Sequence, residues 1–393
     1  MQETLATKAA VKAKVSSVEF WRFVFTALVC LYHQEILFMK GKALPSGTSA
    51  VEFFFVLGGF LLAMSARSAR KRHPEPFTAG EARARALEYV TKKLKVFYPI
   101  LIPVLLLWLF ACYTGGDKLQ AAMDLDWDLL MMVGTPFGYR NGAAPIVPLW
   151  FLTVLLVVGY AYTYFISRHY EATLFAAPLL GVLGYSYFLL NSSLVLDFMA
   201  PMGFLTAGMV RGVTEMSLGV ALYCLYDCLS KKKLAVGWRV VLSILEVYAV
   251  YRFFALTLHQ STGPDNFRRI IYIMVIILLS FLNVTGLSMV LNNKVSRFLG
   301  SFTFAMYICH FPIATLYSGM VAKWKMISAF SGYETSATRF LEDMGGYQGF
   351  TPIPISWKDR IVYMAMVVAV SLVLHYFGVL VRRLLEKGGE KAN

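Results

Sequence analysis

The sequence is short of charge. Only 15% of its 393 residues are Asp, Glu, Lys or Arg, where a soluble domain carries about 25%. With 58% hydrophobic residues and a mean hydropathy of +0.60, that shortage excludes an ordinary water-soluble globule. Cysteine is scarce as well. Cys30, Cys112, Cys224, Cys228 and Cys309 all lie in apolar runs, so neither a disulfide framework nor a metal-ligand set is readable, and Cys224 and Cys228 share a helix face as a packed pair. The chain has no HExxH, no Walker motif, no GxGxxG ahead of a helix and no clustered His/Cys set, so no metal site is expected. It has no internal repeat, which weighs against transporters built from duplicated halves. No cleavable signal peptide is evident: residues 1–17 are polar and basic, and the first apolar run is already of spanning length and reads as a signal-anchor helix.

What the chain does have is long apolar runs. Ten are of spanning length: about 18–38, 49–66, 96–114, 146–166, 172–190, 208–229, 236–258, 270–290, 299–321 and 361–381. They are continuously apolar, not alternating, so helices are expected and a barrel is not. Pro201 and Gly203 interrupt the chain between the fifth and sixth. The expected fold is all-α, a polytopic membrane protein of about ten transmembrane helices. It divides into a basic N-terminal segment (1–17), a membrane domain (18–381) and a tail (382–393). The net charge of +14 does not require a nucleic-acid partner, because basic residues mark the cytoplasmic loops of membrane proteins. Nine basic residues between Arg67 and Lys95 and four between Lys231 and Arg239 fall on one side if the N-terminus is cytoplasmic. That arrangement puts the C-terminus inside as well, and an even number of helices satisfies it. Residues 322–360 then form an outer loop with Tyr333, Tyr347, Phe350 and Trp357, aromatics suited to stacking on a sugar or to an interfacial belt.

A few polar residues stand inside the apolar runs. Arg22 and His33 are separated by eleven positions in VEFWRFVFTALVCLYHQEILF. In a helix that step turns about 1100°, about 20° past three turns, and places both side chains on one face about 16 Å apart. Ionisable groups at such depth point to function, although Arg22 is close enough to the helix start to snorkel. His33 is a competent general base near neutral pH. Glu52, near the outer end of the second run, falls at a similar depth and is expected to orient the His33 ring, as carboxylates do in general-base sites. Gly58 and Gly59 allow close approach of another helix or a ligand. His310 is followed by Pro312, where a kink is expected. Arg211 and Glu215 stand four apart and read as a salt bridge. His375 and His259 read as packing and interfacial residues. The block from Arg67 to Lys95 suits phosphate groups or anionic lipid equally.

Taken together, these residues resemble the acyltransferase-3 family of integral membrane acyltransferases. The resemblance rests on Arg22-x10-His33, on the run from Glu52 through Phe60, on Leu149-Trp150-Phe151-Leu152, and on Ser301 followed by Tyr307-Ile308-Cys309-His310-Phe311-Pro312. Gly58 stands where the family usually has Ser. Lys92-x-x-Lys95 stands in for its Arg-x-x-Arg. The resemblance implies transfer of an acyl group, usually acetyl, from cytoplasmic acyl-CoA to a hydroxyl of a surface or lipid-linked carbohydrate, in the bacterial cytoplasmic membrane, among membrane lipids. It implies catalytic roles for His33, Glu52, Arg22 and His310. CoA phosphates are expected at Arg22, Lys92, Lys93 and Lys95, and substrate contacts at Trp150 and Tyr307. Direct attack and an acyl-enzyme both remain open. The rival readings are a transporter or exporter of a glycan or acylated small molecule, with the same charges lining a path, and a non-catalytic membrane scaffold.

Overall fold

The apolar runs become helices because a backbone among other helices and lipid must satisfy its own hydrogen bonds. The computed structural model describes residues 16–38, 44, 46–114, 148–190, 201–202, 205–259, 266–329 and 356–390. Its elements are α1 (Ser16–Phe38), α2 (Ala50–Arg72), α3 (Ala79–Thr114), α4 (Leu149–Arg168), α5 (Tyr170–Leu190), α6 (Ala207–Leu229), α7 (Val236–His259), α8 (Asn266–Leu282), α9 (Gly286–Leu291), α10 (Lys294–Ser301), α11 (Thr303–Ala329) and α12 (Trp357–Glu390). A two-stranded hairpin, β1 (Pro201–Met202) with β2 (Leu205–Thr206), occupies the interruption before α6. The fold is all-α, as expected. Residues 1–15, and with them most of the basic N-terminal segment, lie outside the described residues. So do Tyr333, Tyr347 and Phe350 of the expected outer loop.

Local sequence explains several helix ends. Thr78 and Glu81 form a capping box ahead of α3: the Thr78 backbone N–H donates to Glu81 Oε2 at 2.8 Å and the Glu81 N–H to Thr78 Oγ1 at 3.3 Å. Ser356 and Asp359 do the same for α12, at 2.8 and 3.2 Å. Basic Arg70, Lys71 and Arg72 close α2, the charge sign that suits a helix C-terminus, and Pro74 follows.

Among the described residues, five helices are long and apolar enough to cross a membrane: Gly47–Arg72, Ala79–Phe110, Leu149–Arg168, Val236–His259 and Trp357–Leu385. The bent pair α10–α11 makes a sixth. Among the others, α8 is only 17 residues long, and Arg211 and Glu215 hold down the hydropathy of α6. The distribution of side chains fits a bilayer. Leu106, Phe110, Phe175 and Ile244 face outward, whereas Glu52, Arg211, Arg269 and His310 are buried.

The tightest helix contact is the one the glycines allow. A Cβ on Gly59 would strike the backbone carbonyl of Met216, and one on Gly219 would strike the carbonyl of Val56. Helices α2 and α6 therefore meet backbone to backbone, as Gly58-Gly59 suggested. Helix α1 lies along the bent pair: Glu19 abuts Gly300 of α10, Phe23 packs edge-on against Phe302 at 5.9 Å, and His33 meets His310 of α11. The bend is 47° between Ser301 and Thr303, not at Pro312, which sits inside the continuous α11. Pro312 is accommodated without breaking α11. The break falls at Phe302, where the backbone leaves helical geometry (φ −105°, ψ 4°) and the ring is buried.

Candidate active site

His33 sits three turns after Arg22 on α1, half-buried. His310 is fully buried on α11. Their rings are in contact: His310 Nε2 lies 3.0 Å from His33 Nδ1, with centroids 4.9 Å apart. The protons can be assigned from the neighbours. His310 Nδ1 lies 2.6 Å from the Tyr307 carbonyl. A carbonyl only accepts, so that nitrogen donates. With the ring neutral, His310 Nε2 is left as an acceptor. His33 Nδ1, 3.0 Å from the Val29 carbonyl, therefore carries its proton and shares it between that carbonyl and His310 Nε2. The lone pair of His33 is left on Nε2. A half-buried imidazole with one nitrogen fixed as donor and the other unprotonated has the arrangement of a general base.

Two further groups hold this geometry. Tyr363 of α12 donates to the carbonyls of Cys30 and His310, at 3.2 and 3.1 Å, and so ties together the two helices that carry the histidines. Phe311 packs edge-on against His33 at 5.8 Å and lies 6.0 Å from Trp108. Beyond His33, Gln34 donates to the Asp359 carbonyl at 3.3 Å, and Tyr317 donates to Asp359 Oδ1 at 3.2 Å.

Glu52 does not orient His33. It is fully buried, and its Oε1 accepts from Arg211 Nη2 at 3.0 Å. Arg211 also donates through Nε to Glu215 Oε1 at 2.9 Å, the pair expected from spacing. Tyr185 adds a long hydrogen bond to Glu215, 3.5 Å, and the Arg211 guanidinium lies 5.9 Å from the Trp150 ring centroid. The acidic partner proposed for the histidine is thus committed to an ion cluster joining α2 and α6, and His310 takes the place it was given. The physical reason is register: the α2–α6 glycine contact puts the first turns of both helices side by side.

Trp150 and Tyr307 are both buried. Trp150 packs on Phe55 at 5.9 Å. Tyr307 donates to the Pro148 carbonyl at 3.0 Å, and its ring lies 5.9 Å from His310. Tyr307 thus backs His310, whereas Trp150 lies on the side of Arg211.

Arg22 is not alone. Its Nη1 lies 3.0 and 2.8 Å from the two carboxylate oxygens of Glu19, a partner that the i, i+3 spacing offered and sequence reading passed over. Of the three lysines, only Lys93 turns inward: it is half-buried, within Coulombic reach of Arg22 and 5.7 Å from the Tyr89 ring centroid. Lys92 and Lys95 are exposed, and Lys92 pairs with Glu88 at 2.6 Å.

Apolar helices of membrane length that seat a histidine pair and an ion cluster in their interior define an integral membrane protein with a site equipped for proton transfer. The chain belongs to the acyltransferase-3 family: the family's model, described as an acyltransferase domain, matches residues 15–376, from the start of α1 into α12. It is a membrane acyltransferase. No curated protein and no solved structure matches the chain.

Proposed function

We propose that the protein moves an acyl group, acetyl in the simplest case, from cytoplasmic acyl-CoA to a hydroxyl of a surface or lipid-linked carbohydrate. In this reading the chain crosses the bacterial cytoplasmic membrane ten times, with α10 and α11 as one bent crossing and both termini inside. Arg22 is then toward the cytoplasm and His33 toward the outer face. The about 16 Å between them on α1 is of the order of a pantetheine arm. CoA phosphates stay with Arg22 and Lys93 while the thioester reaches His33.

The observation that carries the reading is the His33–His310 contact. As the acceptor oxygen adds to the thioester carbonyl, its proton passes to His33 Nε2. The imidazolium so formed is stabilised through its Nδ1–H, which donates to His310 Nε2 and the Val29 carbonyl as a charge-assisted bond. Collapse breaks the C–S bond, and His33 returns the proton to the departing CoA thiolate. His310 thus acts on His33 by fixing its tautomer, the part a carboxylate plays in other general-base sites. The same histidine can serve an acyl-enzyme route, in which the transfer occurs in two such steps.

The test is product formation. Purified protein in lipid vesicles is given acetyl-CoA and an envelope glycan fraction, and the glycan is weighed by mass spectrometry. An added acetyl mass that depends on both protein and acetyl-CoA supports the reading. Glycan movement across the vesicle without acyl-CoA, and with no mass gain, would sink it in favour of a transporter.

A further inference from the structure

Of Arg22 and Lys93, the two cations that hold the donor's phosphates in the proposed function, Arg22 has a carboxylate partner on its own helix. Glu19 binds it with both oxygens through Nη1, and both side chains stay partly accessible, 33% for Arg22 and 22% for Glu19. The pair is therefore open to competition from an incoming anion. A buried pair such as Arg211–Glu52, 7% and 0% accessible, is not.

Glu19 is also held from behind. A Cβ on Gly300 would collide with the Glu19 side chain and Cα, so α10 presses its bare backbone against this residue. Arg297 of α10 donates to Ser16 Oγ at 3.3 Å, which fixes α10 to the first turn of α1. Lys93 approaches Arg22 from α3. Glu19 pairs with only one of these two neighbouring cations, so one further anion can offset the charge that is left.

We infer that Glu19 is a built-in counter-ion: it holds Arg22 in place while the site is empty and competes with the donor's phosphate for it. The physical rationale is that a guanidinium near lipid is costly without a partner, whereas a partner that is half-exposed contributes little and is displaced easily. Glu19 then sets donor affinity without touching the reacting atoms, and is a positioning residue. This inference rests on the assignment of Arg22 to the donor's phosphates.

The test is binding of CoA itself, by titration calorimetry, to the full chain in nanodiscs of zwitterionic lipid, where no anionic headgroup competes. Glu19→Gln keeps an oxygen that accepts from Arg22 but removes the charge. It should bind CoA about fivefold tighter than the unsubstituted protein, the scale of one partly exposed ion pair. Arg22→Gln should weaken binding. In the Arg22→Gln background the Glu19→Gln gain should shrink to less than about twofold, since its target has gone. Glu19→Ser substitutes if Glu19→Gln does not yield folded protein. Unchanged or weaker CoA binding by the Glu19 variant, with binding still sensitive to Arg22, overturns the counter-ion role and leaves the donor assignment standing. A full fivefold gain that persists without Arg22 overturns it as well. Absence of CoA binding by the unsubstituted protein overturns the assignment and the inference together.

Discussion

Two of the polar clusters in the interior are built oppositely. In the Glu52–Arg211–Glu215 cluster, charge meets charge and all three residues are shut away, with Tyr185 and Trp150 around them. In the His33–His310 pair only His310 is shut away. His33 is half-exposed, and its hydrogen bonds settle one nitrogen and leave the other with a lone pair. The first arrangement joins α2 to α6 by charge and lies wholly inside the protein. The second retains a lone pair for something that arrives. Two clusters of ionisable residues therefore do not make two active sites, and what separates them is whether a reactive atom is open to something that arrives.

Substitutions can break this contrast. Arg211→Met leaves two carboxylates buried without their cation and should destabilise the protein by about 3–5 kcal/mol, read as a fall in the unfolding temperature in detergent. An Arg211→Met protein of normal stability would remove the cluster's structural role. His310 sharpens the other half. His310→Gln still offers an oxygen to the His33 Nδ1–H, whereas His310→Phe does not. Acyl-transfer rates should be about tenfold apart, the scale of one hydrogen bond to a charged group, with Gln the faster. Equal rates would mean that His310 does not act through that bond. Gly219→Ala drives a methyl into the Val56 carbonyl and should cost about 1–3 kcal/mol, measured by the same unfolding. Tyr363→Phe removes the hydroxyl that ties α12 to the carbonyls of Cys30 and His310. It should cost about 1 kcal/mol and lower the transfer rate only modestly, which thermal unfolding and a rate assay would both register.

Much of this arrangement is written locally in the chain. The long apolar runs announce helices. The eleven-residue step from Arg22 to His33 announces a shared face, and that face does run along α10 and α11. Arg211 and Glu215 pair as their spacing implies, and Gly58-Gly59 marks a close helix contact. What the chain does not write locally is which helix each face meets. Glu52 and Arg211 are 159 residues apart, and His33 and His310 are 277 apart. No periodicity within one helix tells His33 that its partner is an imidazole on α11 and not the carboxylate on α2. The lysines show the intermediate case: position 93 shares the inward face of α3 with Tyr89 and Phe97, so helical spacing separates it from Lys92 and Lys95 once the buried face is known. Pro312 does not mark the break between helices. A proline inside a membrane helix is tolerated when neighbouring groups satisfy the backbone, and the bend falls instead at Phe302.

The most direct measurement is the acyl-transfer rate of His33→Ala in protein whose unfolding temperature matches that of the unsubstituted chain. Loss of the base should lower the rate by about 10²–10⁴-fold with the fold intact, since His33 is half-exposed and makes no ion pair among the described residues. A folded His33→Ala protein that transfers acyl groups at the original rate would contradict the assignment of His33 as the base.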